Sequence, residues 1–196
     1  MISVHNVFLS IFDQMATVFI HIPKTAGTTL TELLLKNYRS SEIEHIPEGG
    51  KKNAGELQKQ SQEKACIFGH FRYHEELRTP DNFLFTFLRK PEDRFISNFF
   101  HLQREGSYTA KSLPEAMEEF LQEENLKKNG NWNTHTYFLA GTPGRKFFKN
   151  DEEHHVKLAL QRLESLDFVG ITENFEQSVY MLGQSLGWKK WYYLHQ

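Results

Sequence analysis

The residues best suited to chemistry lie in one short stretch near the start of the chain, residues 18–29. A lysine stands there between a proline and a glycine, in the order Pro23-Lys24-Thr25-Ala26-Gly27-Thr28-Thr29. A loop of this kind directs backbone amides at one point, and the lysine adds a mobile positive charge. The first chemistry that the sequence predicts is therefore the binding of an anion such as a phosphate group.

A strand before this loop and a helix after it must hold the amides in position. Val18 to Ile22 is a β-branched and aromatic run, typical of a buried strand, and the apolar residues behind Thr29 predict a helix. The dipole of that helix adds positive potential at the loop. The loop differs from those of ATP- and GTP-binding enzymes, because its lysine precedes the glycine. An ordinary turn between a strand and a helix is the alternative interpretation of the loop alone.

A second predicted strand ends in a histidine. Residues 65–68 form an apolar run that leads through a glycine into His70. Open α/β sheets bind their ligands at the carboxyl ends of strands, which makes His70 a candidate for the binding cleft. His101 and His135 rank second among the histidines, and His21, inside the first predicted strand, is expected to be a core residue.

The predicted central strand ends in an arginine. Residues 82–88 are nearly continuous Phe and Leu, as in a strand that is covered on both faces, and Arg89 follows them. Pro91 can occupy the first turn of the next helix, on which Arg94 and Ser97 share a face. An ion pair between Arg89 and a neighbouring carboxylate is the structural alternative.

Length and composition indicate one domain over residues 1–196, with 39% hydrophobic and 24% charged residues. A formal charge of -2 gives no general attraction for nucleic acid or anionic membranes. The single cysteine, Cys66, lies in an apolar run and is expected to be buried. No segment has the length or flanking charge of a membrane span or signal peptide, so we expect a cytoplasmic protein without an integral membrane segment. Oligomeric state cannot be predicted.

Strands and helices alternate along the chain, which predicts an α/β fold. Further helices are predicted over residues 112–124, 134–140, 150–163 and 175–186, with a last strand over 166–171. Arg39 to Lys64 is polar and is predicted to be a loop or insertion with a short helix around residues 56–62. We therefore expect three layers, a mostly parallel sheet flanked by helices, in a P-loop-like arrangement.

Four segments together resemble sulfotransferases that use 3′-phosphoadenosine 5′-phosphosulfate (PAPS). The loop of residues 18–29 resembles their 5′-phosphosulfate loop, with Ala26 where glycine is frequent, and residues 87–97 resemble their 3′-phosphate motif. Gly69-His70-Phe71 is similar to the Gly-His segment that carries the catalytic base in the uronyl 2-O-sulfotransferase branch and its bacterial relatives. Residues 168–175 resemble a late strand-to-helix element of that branch.

This resemblance implies an enzyme that moves a sulfuryl group from PAPS to an acceptor hydroxyl, here expected on a carbohydrate. His70 would be the general base, and Lys24 would stabilise charge on the transferring group. Arg89 with the Ser97 hydroxyl would offer charge-assisted hydrogen bonds to the 3′-phosphate. The cofactor-binding residues that the resemblance implies are Lys24, Thr25, Ala26, Gly27, Thr28, Thr29, Arg89 and Ser97. The scheme needs no metal.

Two other functions remain open at this point. A P-loop kinase or other phosphoryl transferase is disfavoured, because the sequence has neither a Walker A motif nor a clear magnesium-binding carboxylate after a strand. A non-catalytic nucleotide- or glycan-binding protein is the second alternative. The identity of the acceptor cannot be predicted, since its contacts would come from the unpatterned segments 39–64 and 103–111.

Overall fold

The computed structural model describes residues 15–47, 52–108, 112–128, 133–141 and 151–190. Its strands are β1 (Ala16–Ile20), β2 (Ile43–Ile46), β3 (Cys66–Gly69), β4 (Asn82–Leu88) and β5 (Phe168–Ile171). The α-helices in the described ranges are α1 (Gly27–Asn37), α2 (Ala54–Glu63), α3 (Pro91–Arg104), α4 (Leu113–Leu121), α5 (Glu123–Lys128), α6 (Thr134–Leu139), α7 (Glu152–Glu164) and α8 (Phe175–Leu186).

The five strands form one sheet in the order β2-β3-β1-β4-β5, and each neighbouring pair is parallel. After β1 the chain builds β2 and β3 on one side of it and then crosses to β4 on the other. Ligands of parallel sheets bind beside such a reversal, at the carboxyl ends of the strands. The cleft is therefore expected where β1, β3 and β4 end, and the predicted parallel sheet is confirmed.

Side chains of the central strand alternate between two cores. Val18 and Ile20 point to a core that includes Leu57 of α2 together with residues of α6 and α7. Phe19 points to the opposite core, which includes Leu30 of α1 and residues of α8. Since all three β1 side chains are fully buried, helices cover both faces of the sheet. The predicted three-layer α/β fold is confirmed.

The segment from Arg39 to Lys64 contains regular structure that the prediction of a loop missed. Strand β2 and helix α2 lie there. Strand β2 has four residues, includes Glu44 and His45, and forms the edge of the sheet, so its sequence lacks an apolar pattern. Helix α2 contains the predicted short helix but begins after a capping box, in which Asn53 Oδ1 accepts a hydrogen bond from the backbone N–H of Glu56 at 3.0 Å.

Helix α3 packs against α4 in a third, smaller core beside the sheet. The Phe99 and Phe120 rings lie 5.2 Å apart, and Phe95 and Leu102 pack onto the same cluster. Ile96, next to Phe95 in the sequence, is 48% exposed instead. Each residue turns the helix by about 100°, which carries Ile96 away from the face centred on Phe95 and Phe99. The first turns of α3 border the cleft.

Candidate functional site

The loop after β1 leaves amide donors at the start of α1. The first intrahelical hydrogen bond runs from the backbone N–H of Leu30 to the Ala26 carbonyl at 3.2 Å, so the amides of residues 27–29 lie ahead of the helical ladder. Ala26, at the N-cap position, offers no side-chain cap, and the first turn holds no acidic residue. These amides and the positive end of the helix dipole are suited to an anion.

The same loop stores backbone strain. Lys24 and Ala26 have φ angles of 69° and 64°, in the left-handed region that costs a side-chain-bearing residue roughly 1–2 kcal/mol. Between them Thr25 is fully buried, and its Oγ1 donates to the Ile22 carbonyl at 2.7 Å, which holds the turn closed. Strain of this kind is concentrated at functional sites.

His70 lies directly after β3, as predicted, in a defined orientation. Gly69 before it has a φ of 151°, and a Cβ there would lie 2.1 Å from the Ile46 carbonyl oxygen, so this position requires glycine. The His70 Nδ1 atom is 3.1 Å from the His21 carbonyl oxygen. Because a carbonyl can only accept, Nδ1 carries the proton and Nε2 is unprotonated in neutral His70. An imidazole in this tautomer can act as a base through Nε2.

Arg89 connects the end of β4 to the loop after β1. Its Nη1 donates to the Lys24 carbonyl oxygen at 3.3 Å, which brings these two predicted site residues together. The end of β4 is also tied to β5, because Thr172 Oγ1 donates to the Leu88 carbonyl at 2.9 Å. The loop and the ends of β3, β4 and β5 therefore form one continuous edge.

His21 was predicted to be a core residue, and that prediction is wrong. Strand β1 ends at Ile20, and the half-buried His21 ring stacks on His70 with ring centroids 4.1 Å apart. Burial, followed by the nearby His70, lowers the pKa of His21 to about 3, so the ring is neutral at physiological pH. Strand periodicity could have indicated this position, since residues 19 and 21 lie on the same side of the extended chain.

A cavity of about 560 Å³ lies between the first turns of α3 and residues 133–136. Arg94 lines it and is only 3% exposed; burial and the neighbouring Arg89 lower the pKa of its guanidinium to about 10. His135 lines the opposite wall, and its buried Nε2 has no hydrogen-bond partner. Ligand sites commonly have this volume and a few convergent polar groups.

The remaining predicted residues lie on the helices around the cleft. Thr28 is exposed and Thr29 partly exposed in the first turn of α1. Ser97 is partly buried on α3 and is not among the residues that line the cavity, although it lies only about 60° around the helix from Arg94, which does. His101, further along α3, has its Nε2 3.5 Å from Glu105 Oε1 and does not line the cavity.

Within the described ranges, no group of three or more His, Cys, Asp and Glu side chains could hold a metal ion. The helices of those ranges are all too short or too polar to cross a membrane.

The family model described as "Sulfotransferase family" matches residues 9–190 of the chain. Among solved structures, the chain is similar to the crystal structure of mouse sulfotransferase SULT7A1 complexed with PAP, at 14% sequence identity and a TM-score of 0.47. That match covers 93% of this chain, which spans 64% of the length of the mouse chain. A search of curated proteins finds no significant match.

Proposed function

Because the chain belongs to the sulfotransferase family, we propose that it transfers a sulfuryl group from PAPS to a hydroxyl group of a carbohydrate acceptor. We also propose that residues 1–196 form one sulfotransferase-like domain. The observation that carries the proposal is the hydrogen bond from His70 Nδ1 to the His21 carbonyl at 3.1 Å, which leaves Nε2 able to accept a proton. This histidine stands at the edge of the sheet that also bears the strained anion loop.

The donor would be held by two groups of residues. Lys24 and the amides of residues 25–29 offer positive charge and N–H donors for the phosphosulfate, and Arg89 with Ser97 would hold the 3′-phosphate. The fit is supported by the uncapped first turn of α1 and by the strain at Lys24 and Ala26. PAPS, when bound, supplies a sulfuryl group that is activated by its phosphate leaving group.

His70 is proposed to remove the proton of the acceptor hydroxyl. As the acceptor oxygen formed its bond to sulfur, its proton would pass to Nε2 of His70, and the bond from sulfur to the 5′-phosphate oxygen would break and release PAP. Lys24 and the amides of α1 would stabilise the negative charge that grows on this 5′-phosphate. The chain's contribution is thus a base on one side and an anion cradle on the other.

The cavity between α3 and α6 is proposed to receive the acceptor. Arg94 and His135 supply polar groups in its wall, and Phe95 and Ile96 supply apolar surface. Donor and acceptor would then both lie beside α3.

Two alternatives are separated by ligand-induced stabilisation. A sulfotransferase should be stabilised by 3′-phosphoadenosine 5′-phosphate (PAP) and little by ATP or GTP with magnesium, since a ligand of the folded state raises the melting temperature. A larger shift with ATP would favour a phosphoryl transferase. Binding of PAP without turnover of PAPS on any acceptor of a sugar panel would favour a binding protein.

His70→Ala tests the proposed base directly. Loss of a general base typically lowers turnover by about 10²- to 10⁴-fold, and PAP affinity should stay near the wild-type value because His70 is not assigned to the nucleotide. Turnover of radiolabelled PAPS, PAP affinity and melting temperature should be measured on one preparation. His154→Ala, at an exposed histidine, is the control. A folded His70→Ala protein with turnover within a few-fold of wild type would exclude His70 as the base.

A further inference from the structure

The His21 ring is one of a series of stacked rings that reaches from the core to the cleft. Phe85 and Phe19 stack with centroids 4.7 Å apart, Phe19 and His21 at 5.3 Å, and His21 and His70 at 4.1 Å. The phenylalanines come from the paired strands β4 and β1 and are fully buried. The inner end of the series is therefore fixed by the sheet, and its outer end is His70.

The first residue of α1 closes the space on another side of the same ring. A Cβ built on Gly27 would lie 1.7 Å from Nε2 of His21 and 2.0 Å from its Cε1. Real Cβ atoms do not approach ring atoms this closely, so His21 occupies the volume that any other residue at position 27 would need. Phe19 and His70 both stack with this ring, so a displaced His21 ring must disturb these stacks.

His21 also contacts the base through its backbone. The carbonyl of His21 accepts the hydrogen bond from His70 Nδ1 at 3.1 Å, which sets the tautomer of His70. The neutral His21 ring, kept uncharged by burial, brings no positive charge against the base. The stacked ring of His21 thus contributes to where the His70 ring lies, and its carbonyl sets which nitrogen of His70 carries the proton.

We propose that His21 is a positioning residue that couples the donor loop to the catalytic base. Gly27, which has no side chain, leaves room for the His21 ring. The proposal rests on the proposed role of His70. It assigns to position 27 a requirement that differs from anion binding: a side chain there displaces His21, and His21 displaces His70. The start of α1, where the donor would bind, and the base are in this way parts of one packed unit.

A double-mutant cycle tests the coupling. Gly27→Ala should lower kcat by about 10²-fold, the cost of a misplacement of about 1 Å at a reacting group. His21→Ala, which removes the stack, should lower kcat as well. In the His21→Ala background the three atoms nearest to the Cβ at position 27 are gone, so the double variant should match His21→Ala alone. Gly55→Ala in α2, whose Cβ would meet only Asn53 Oδ1 at 3.4 Å, is the matched control and should retain wild-type kcat.

Two other mechanisms predict different results. If Gly27→Ala acts only by blocking the donor, its cost in kcat and in PAP affinity should be the same in both backgrounds, and that additivity would overturn the proposal. His21→Asn, which also clears the space at position 27, is made in parallel as a second background in case His21→Ala folds poorly. If the variants all lower the melting temperature and their effects on kcat are additive, His21 is only a packing residue.

A readout without turnover separates this proposal from the proposed function. The ¹⁵N chemical shifts of His70 report its tautomer, and in the wild type they should show a protonated Nδ1 and an unprotonated Nε2. Gly27→Ala should change these shifts, the double variant should give the shifts of His21→Ala, and Gly55→Ala should leave them unchanged. If His70→Ala keeps wild-type turnover while the ¹⁵N shifts follow this pattern, the assignment of His70 as the base fails and the coupling through His21 stands. Unchanged His70 shifts in Gly27→Ala would overturn the coupling itself.

Discussion

Arg89 shows at the scale of one residue how the end of a strand can serve two tasks. Its guanidinium donates to the Lys24 carbonyl at 3.3 Å, which braces the loop after β1. It also lies beside the buried Arg94, whose pKa is lowered to about 10 by burial and then by Arg89. Two neighbouring cations raise the local positive potential, which favours an anion at this corner of the cleft.

Replacing Arg89 by alanine should separate these two tasks. If Arg89 holds the 3′-phosphate, PAP should bind more weakly by about 1.5–3 kcal/mol, the range for a hydrogen bond to a charged group. Adenosine 5′-phosphosulfate, which lacks that phosphate, should lose much less. Isothermal titration of both ligands measures the difference, with Arg39→Ala, at a side chain that is 85% exposed, as the control. Equal losses for both ligands would leave the bracing of the loop as the contribution of Arg89.

Helix α3 is the element that borders the cleft. Its start follows the end of β4, its first turns line the cavity, and Phe99 further along it packs against α4. Pro91 in the first turn fixes where the helix begins, so each residue's side of the helix follows from its position in the sequence. The proposed donor and acceptor sites are thus held on one rigid element.

A bulky side chain at position 96 should show which ligand occupies the cavity beside α3. Ile96 lines the cavity and is 48% exposed, so Ile96→Trp can occupy that space without opening the core. We expect an increase in the acceptor KM of at least about tenfold, since about 1.4 kcal/mol of lost contact corresponds to that factor, with PAP affinity unchanged. Leu160→Trp on α7, at a side chain that is 55% exposed and outside the cavity, is the matched control. A weaker PAP complex with an unchanged acceptor KM would locate the donor, not the acceptor, in the cavity.

At the scale of the whole molecule, the fold keeps two histidines of this cleft neutral, and this lowers its stability at acidic pH. Burial lowers the pKa of His21 to about 3, and burial together with Arg94 lowers the pKa of His135 to about 4. The unfolded chain takes up these protons near the ordinary pKa of about 6.5. Below that pH the unfolded state binds more protons than the folded state, so stability must fall as the pH is lowered toward 4.

The slope of the unfolding free energy against pH can be measured, and a single substitution tests the contribution of one histidine to it. His21 and His135 should each remove up to about 1.4 kcal/mol of unfolding free energy per pH unit between about pH 6 and pH 4. His135→Gln should reduce this slope by one such contribution, and His154→Gln, at an exposed position, should leave it unchanged. Urea unfolding of the wild type and of the two variants at about pH 6, 5 and 4 gives one slope for each protein. A slope that His135→Gln does not change would mean that His135 is protonated in the folded state as readily as in the unfolded chain.

The sequence by itself determined the elements whose causes are local. The apolar run before Pro23 and the helix after Gly27, the Phe and Leu strand before Arg89, and the positions of His70 and Arg89 just after strands all follow from short-range patterns. The parallel three-layer fold followed from the alternation of these elements. Side chains of one strand or helix are positioned by periods of 2 and 3.6 residues, and those periods can be recognised in the sequence.

The tertiary structure decided what depends on residues distant in the sequence. Strand β2 is too short and too polar to be recognised alone, and it exists because β3 pairs with it. The stack of His21 on His70 joins positions 49 residues apart, and the cavity joins Arg94 to His135 across the cleft. Such contacts form only when the sheet order brings the ends of different strands together. The chain's local pattern therefore predicts the anion loop and the base, but the sheet alone determines which residues surround them.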